Sequence, residues 1–146
     1  GTMGYGLGAS LGAKAGFPDS VVVNIAGDGG FRMNMNERAT AVRHNLPSIE
    51  VIVDNRVLGM VRQWQELFYD HNYSSTNMEA QPDFVKLADA YGAEGYRIEK
   101  PEDLEPVLKK ALSSSNTAIV DVRVEREENV YPMVPAGAAL NEMLLV

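Results

Sequence analysis

The run Val21-Val22-Val23-Asn24-Ile25-Ala26 is apolar and β-branched with little alternation, and it ends in Gly27-Asp28-Gly29-Gly30. Such a run predicts a strand covered on both faces, as in a parallel sheet. Ile49 to Val53 repeats the pattern and leads into Asp54-Asn55, and Glu94–Ile98 and Ala118–Val124 give two further strands. Between these segments the period becomes helical. Residues 4–16 mix glycine with Leu7, Ala9, Leu11, Ala13 and Ala15, a small-residue helix suited to close packing on a sheet, which Pro18-Asp19 breaks. Residues 33–44 read as a helix capped by Asn34 or Asn36 and stopped by Pro47. Leu58, Val61, Trp64, Leu67 and Phe68 recur at helical spacing. Pro82-Asp83 opens a helix that Gly92 ends, and Pro101-Glu102-Asp103 opens a charged one running to about Ser113. The polar stretch Asp70 to Gln81 has no regular period, and the tail after Glu125, with Pro132 and Pro135, reads as irregular up to a final turn at Leu140 to Leu145.

Strands alternating with helices predict an α/β fold, a doubly wound and mostly parallel sheet with helices on both faces. Residues 1–146 read as a single domain with an irregular tail at 125–146, without internal repeat or low-complexity tract. Length and composition are those of a globular chain able to bury a core. No apolar run approaches the roughly 20 residues that span a bilayer, which argues against a membrane protein. Cysteine is absent, which removes disulfides and thiolate zinc sites and suits the cytoplasm. The net charge of −7, with Lys109-Lys110 the only adjacent basic pair, argues against nucleic-acid binding. An acidic chain can hold a phosphorylated ligand only through a cation or through backbone N–H groups. Gly1-Thr2-Met3-Gly4-Tyr5-Gly6 is neither signal-peptide-like nor a natural start, and reads as the opening of a piece excised from a longer chain.

In open α/β sheets ligands bind beyond the carboxyl ends of the strands. Gly27-Asp28-Gly29 follows one strand and Asp54-Asn55 the next, and 26 residues lie between Asp28 and Asn55, room for one helix and one strand. If the two strands are neighbours, both side chains converge on one point. A carboxylate plus an amide oxygen is a hard ligand set suited to Mg2+, which keeps positions for water and phosphate. The flanking glycines let backbone N–H groups approach phosphate oxygens.

This pattern resembles the thiamine-diphosphate motif, a GDG separated from an NN pair by a βα-sized interval. The stretch from Leu58 through Gln63-Trp64-Gln65 to Tyr69 is similar to the acetolactate synthase (acetohydroxyacid synthase) catalytic subunit in particular, as are Gly1 to Gly6 and Tyr131-Pro132-Met133-Val134-Pro135. The resemblance covers essentially the whole chain. It implies a C-terminal thiamine-diphosphate-binding domain of an enzyme of branched-chain amino-acid biosynthesis. That enzyme decarboxylates pyruvate on thiamine diphosphate and condenses the carbanion with a second 2-oxoacid, pyruvate or 2-oxobutyrate. It further implies Asp28, Asn55 and the Val57 carbonyl as Mg2+ ligands, with Gly27 to Gly30 and Phe31 around the diphosphate. Met3 corresponds to the residue that bends the cofactor, and the Gly1 carbonyl to the acceptor for its amino group. Met60 and Trp64 correspond to walls of the substrate channel, Met60 touching the cofactor as well. No catalytic side chain is expected in this chain, because the activating glutamate belongs to the N-terminal domain of a partner subunit in a homodimer or tetramer. FAD is bound mainly by another domain, and a small regulatory subunit can attach. Two departures stand out: Asp54 occupies the place of the motif's first Asn, and Gly8 that of a frequent Pro.

Other readings are weaker. Gly4 to Ala9 spells G-x-G-x-x-A, but no strand precedes it as a dinucleotide fingerprint requires. Asp28 alone would be a turn residue and Asn55 a loop cap, and Trp64 and Met60 judged alone are core positions. His44 and His71 lack nearby ligand partners, Glu125 to Glu128 reads as a solvated turn, and Glu37 as a helix-surface carboxylate. The functional alternatives are another thiamine-diphosphate-dependent 2-oxoacid decarboxylase or carboligase, and a non-catalytic assembly module. Residues 56 to about 78 and the tail are expected to form a mobile lid, because the polar stretch offers little to anchor it.

Overall fold

A computed structural model describes residues 1–145; the last position of the tail lies outside the described residues. Four strands form one all-parallel sheet in the order β1-β2-β4-β3: β1 Val23–Gly27, β2 Ile49–Asp54, β3 Glu94–Ile98 and β4 Ala118–Arg123. Among the described residues, α-helix α1 Tyr5–Gly16 precedes the sheet and five more connect its strands: α2 Asp28–Arg32, α3 Arg38–Arg43, α4 Gly59–Phe68, α5 Phe84–Tyr91 and α6 Leu104–Ser113. The sheet carries helices on both faces.

Side chains alternate across each strand, so β2 and β4 feed two cores. Ile52 and Ile119 point to one face, where they pack with Leu7 of α1, Phe31 of α2 and Phe84 and Ala88 of α5. Phe31 and Phe84 meet edge to face at 5.4 Å. Ile49, Ala118 and Val120 point to the other face, with Ile98 and with Ala111 of α6. That second face is only half covered, because α6 lies on β3 and β4. Ile25 of edge strand β1 is therefore 71% exposed, despite an apolar run that predicted cover on both sides.

The expected helix over 33–44 is two pieces, a 3-10 turn at Met35–Glu37 followed by α3. Neither Asn34 nor Asn36 caps it; the Asn34 amide instead donates to the Gly4 carbonyl at 2.6 Å, tying this segment to the start of α1. A 3-10 turn at Pro101–Asp103 likewise precedes α6. The α5 boundaries follow the sequence signals, with Asp83 accepting from the N–H groups of Val85 and Lys86, and Gly92 left-handed at φ 76°. Gly6 is the α1 glycine that close packing requires, since a Cβ there would lie 2.3 Å from Asn24 Oδ1 on β1; Gly8, Gly12 and Gly16 face open space.

Among the described residues beyond β4 there is no long element, only a 3-10 turn at Leu140–Glu142 and an isolated bridge between Met133 and Leu144. Among the described residues no helix is long and apolar enough to cross a membrane.

Candidate functional site

β1 and β2 are direct neighbours, with Gly27 opposite Val53, so Asp28 and Asn55 leave adjacent strand ends. A pocket of about 560 Å3 opens there. Its walls include Met3, Gly27, Asp28, Gly29, Gly30, Asn55, Val57 and Met60, together with Thr2, Gly4, Ile25 and Leu58. Gly27-Asp28-Gly29 is not the free turn that its composition suggests. Asp28 is the first residue of α2, which brings the unpaired N–H groups of a helix's first turn to the strand end.

Asp28 is almost fully buried, and its Oδ2 has no hydrogen-bond partner among the described residues. Burial pushes its carboxyl up to about 6, and the negative charge of Asp54 adds to the rise, against the pull of the backbone N–H groups of Gly29 and Asp28. A buried carboxylate oxygen without a donor is costly unless a cation or donor from outside completes it. Gly29 is fixed by space, since a Cβ there would come within 2.8 Å of both Leu58 Cδ2 and Met3 Cε.

Asn55 Oδ1 accepts from the Val57 N–H at 3.2 Å, a local turn that sets the amide at the pocket rim. Residues 56–58 pair with 76–78 through Leu58 N–H to Thr76 O and Met78 N–H to Arg56 O, both 2.9 Å. In this non-hydrogen-bonded pairing of Val57 with Asn77 the Val57 carbonyl takes no part, leaving it free to serve as a ligand. The same pairing anchors the polar stretch after α4. One carboxylate, one amide oxygen and one carbonyl could hold a single hard cation whose other positions go to phosphate and water. Among the described residues no group of three or more His, Cys, Asp or Glu side chains could hold a metal.

Three residues singled out in the sequence lie apart from the pocket. Gly1 does not line it. The Phe31 side chain is buried in the core, so only its backbone could meet a phosphate. Trp64 sits one turn beyond Met60 on the outer side of α4, edge-on to Phe68 at 6.0 Å and outside the pocket lining. Sequence reasoning missed the apolar walls, Ile25 and Leu58, and the partners of Asp54 described below. Position at a strand end was the available signal for Ile25.

The helix α4 leaves much of its apolar side exposed and buries polar residues instead. Met60, Val61, Trp64 and Phe68 are 42–50% exposed, while Arg62 and Gln63 are buried. The reason is the tail. Gln63 exchanges two 2.9 Å bonds with the backbone of Val130, and Arg62 donates to the Glu127 carbonyl at 3.0 Å and to Asn129 Oδ1 at 2.5 Å. The two parts of the expected lid, α4 and the tail, are thus tied to each other by polar groups. Gln63→Ala removes both Val130 bonds, and amide exchange over residues 127–133 should rise on the order of ten- to a hundredfold. Unchanged exchange there would show that the clasp does not hold the tail.

Comparison with known proteins agrees with this geometry. Residues 1–122 match the family model of the thiamine pyrophosphate enzyme C-terminal TPP-binding domain. The acetolactate synthase large subunit of Haemophilus influenzae is 44% identical over 99% of this chain and 26% of its own length. The isozyme 2 large subunit of Escherichia coli is 45% identical over the same shares. The mitochondrial catalytic subunit of Saccharomyces cerevisiae is 43% identical, and the chain covers 21% of it. The chain therefore spans about a quarter of the length of these relatives. Among solved structures, the thiamine diphosphate-dependent 4-hydroxybenzoylformate decarboxylase of Rhodococcus jostii RHA1 superposes with a TM-score of 0.80 at 27% identity, over 87% of this chain and 24% of that one. A family match over most of the chain, on a parallel sheet whose adjacent strand ends carry the Asp28 and Asn55 pocket, establishes that this chain belongs to the thiamine pyrophosphate enzymes, as a C-terminal TPP-binding domain.

Proposed function

We propose that this chain forms the diphosphate- and Mg2+-binding part of an acetolactate synthase large subunit. The observation that carries the metal site is Asp28 Oδ2, buried without a partner among the described residues in the pocket it shares with Asn55. The choice of enzyme is supported by relatives 43–45% identical over almost the whole chain.

In this reading Asp28, Asn55 and the Val57 carbonyl hold Mg2+, and the N–H groups of Gly29, Gly30 and Phe31 meet the diphosphate. Met3 and Met60, both lining the pocket, would pack against the cofactor, and Trp64 would wall the approach of substrate once a neighbouring domain covers α4. When bound, thiamine diphosphate supplies the electron sink for the carbon that remains when pyruvate loses carbon dioxide. The protein groups contribute position and charge, and exclude water. Condensation with a second 2-oxoacid, pyruvate or 2-oxobutyrate, completes the reaction. The activating glutamate of a partner subunit, FAD on another domain, a homodimer or tetramer, a small regulatory subunit and a cytoplasmic location belong to the same proposal.

Calorimetric titration with thiamine diphosphate and Mg2+ tests it. Saturable binding that EDTA abolishes is expected, and acetolactate should appear from pyruvate only when a subunit supplying the glutamate is present. Absence of binding would favour a non-catalytic assembly module. The likeness to a 4-hydroxybenzoylformate decarboxylase motivates a second reading, another 2-oxoacid decarboxylase or carboligase. Binding accompanied by turnover of an aromatic 2-oxoacid and none of pyruvate would favour that one.

A further inference from the structure

Asp54 brings a second carboxylate to the end of β2, next to Asn55 and near enough to Asp28 for its charge to act there. Its side chain is fully buried. An unbalanced negative charge at that point would repel a diphosphate and weaken the site that Asp28 and Asn55 form.

The surrounding groups hold and balance it. Asp54 Oδ1 accepts from the Arg56 N–H at 3.1 Å and from Gln81 Nε2 at 2.8 Å. Asp54 Oδ2 lies 2.6 Å from Arg123 Nη1. Strand register creates this pair, because Asp54 and Arg123 stand directly opposite each other across β2 and β4. Asp121, on the same face two residues earlier, stands opposite Arg97 across β4 and β3. Arg123 Nη2 and Arg97 Nε both reach Asp121 Oδ2 at 3.0 Å, and Arg97 Nη2 continues to Asp83 Oδ1 at 2.7 Å. Charges alternate along the carboxyl end of the sheet, and Asp54 is the end of that series nearest the pocket. Asp54 does not line the pocket although Asn55 does. It borders a separate polar cleft of about 400 Å3 with Arg56, Glu79 and Arg123.

We propose that Arg123 is a positioning residue for the cofactor: ion-paired with Asp54 across β2 and β4, it offsets the charge of a carboxylate that sits beside Asp28 at the edge of the diphosphate pocket. The inference rests on reading the pocket as a Mg2+–diphosphate site. Without Arg123, Asp54 keeps only neutral donors, and its charge falls on the space that the diphosphate enters. Removing one member of a buried pair leaves the other uncompensated, which is where the large effects of such substitutions arise.

The test is a double-mutant cycle in the intact protein, titrating thiamine diphosphate at saturating Mg2+ with thermal unfolding followed in parallel. Arg123→Met should weaken binding about ten- to a hundredfold. Arg123→Lys, which keeps the charge, should stay within about threefold of the unsubstituted protein. Asp54→Asn should bind at least as tightly, and adding Asp54→Asn to Arg123→Met should restore affinity to within about threefold. A purely structural role for Arg123 would not be rescued in this way. Arg123→Met binding as tightly as the unsubstituted protein, or a double variant as weak as Arg123→Met, overturns the inference. Asp54→Asn losing about tenfold or more would make Asp54 itself a ligand and overturn it too, and that arm does not need Arg123→Met to fold. If the unsubstituted protein fails to bind thiamine diphosphate with Mg2+, the metal-site reading falls and takes this inference with it. If it binds and Arg123→Met binds equally, the inference alone is lost.

Discussion

Replacing Asp28 by asparagine should lower affinity for Mg2+–thiamine diphosphate by on the order of a hundredfold, while raising the thermal midpoint of the cofactor-free protein by a few degrees. The two effects have one cause. The Asp28 carboxyl is buried beside Asp54 and pushed up to about 6 from its ordinary 3.8. A group whose folded value is raised contributes stability below its unfolded value and loses it as pH rises through the folded value. Above about pH 6 the folded, cofactor-free protein therefore carries a buried charge that it would stabilise by shedding. Asparagine removes the charge and keeps the shape, so folding gains where ligation loses. Calorimetry and thermal unfolding at about pH 7.5 read both arms. Undiminished affinity would remove Asp28 from the metal site, and a lowered midpoint would show that its charge is already satisfied within the protein.

Arg38→Met should cost about 3–5 kcal/mol of folding stability, far more than a surface ion pair. Arg38 of α3 and Glu50 of β2 are both fully buried, with Arg38 Nη2 2.7 Å from Glu50 Oε2. Ser48 Oγ accepts from Arg38 at 3.0 Å, and Asn24 donates to the other Glu50 oxygen at 2.6 Å. Burial pushes Glu50 up to about 7 from its ordinary 4.5, held back by the Arg38 charge and by bonds from Asn24 and Arg38. The sign follows from the raised value: stability tied to Glu50 is full below 4.5 and is lost as pH rises through about 7. Without Arg38 the carboxyl rises further, so the variant's deficit should widen between about pH 5 and pH 8. Urea midpoints at those two pH values decide the matter. A deficit that stays constant would mean that packing of the Arg38 stem, not its charge, is what the protein uses.

The sequence alone determined the alternation of strands and helices, the two strand ends that carry the site, and the family motif spread from Gly27 to Asn55 and on through Trp64. These are legible because strand runs, helix stops such as Gly92 and the Asp83 cap act over a few residues and do not depend on what lies across the fold. Adjacency of β1 and β2 is an expectation from the sequence that their parallel register bears out. Three features were decided by tertiary structure. Gly27-Asp28-Gly29 looks like a turn in composition, yet packing of Phe31 against Phe84 draws the residues after Gly27 into α2. The periodicity of α4 gave a helix with an apolar side but not what that side packs on; Gln63 and Arg62 are buried because the tail some 65 residues away supplies their partners. Asp54 stands in the sequence only as a departure from the motif, and its ion-pair partner is Arg123, brought opposite by strand pairing across 69 positions of chain. Local pattern fixes which backbone can form. Which buried charge meets which partner depends on long-range register, and that is set only when the strands pair.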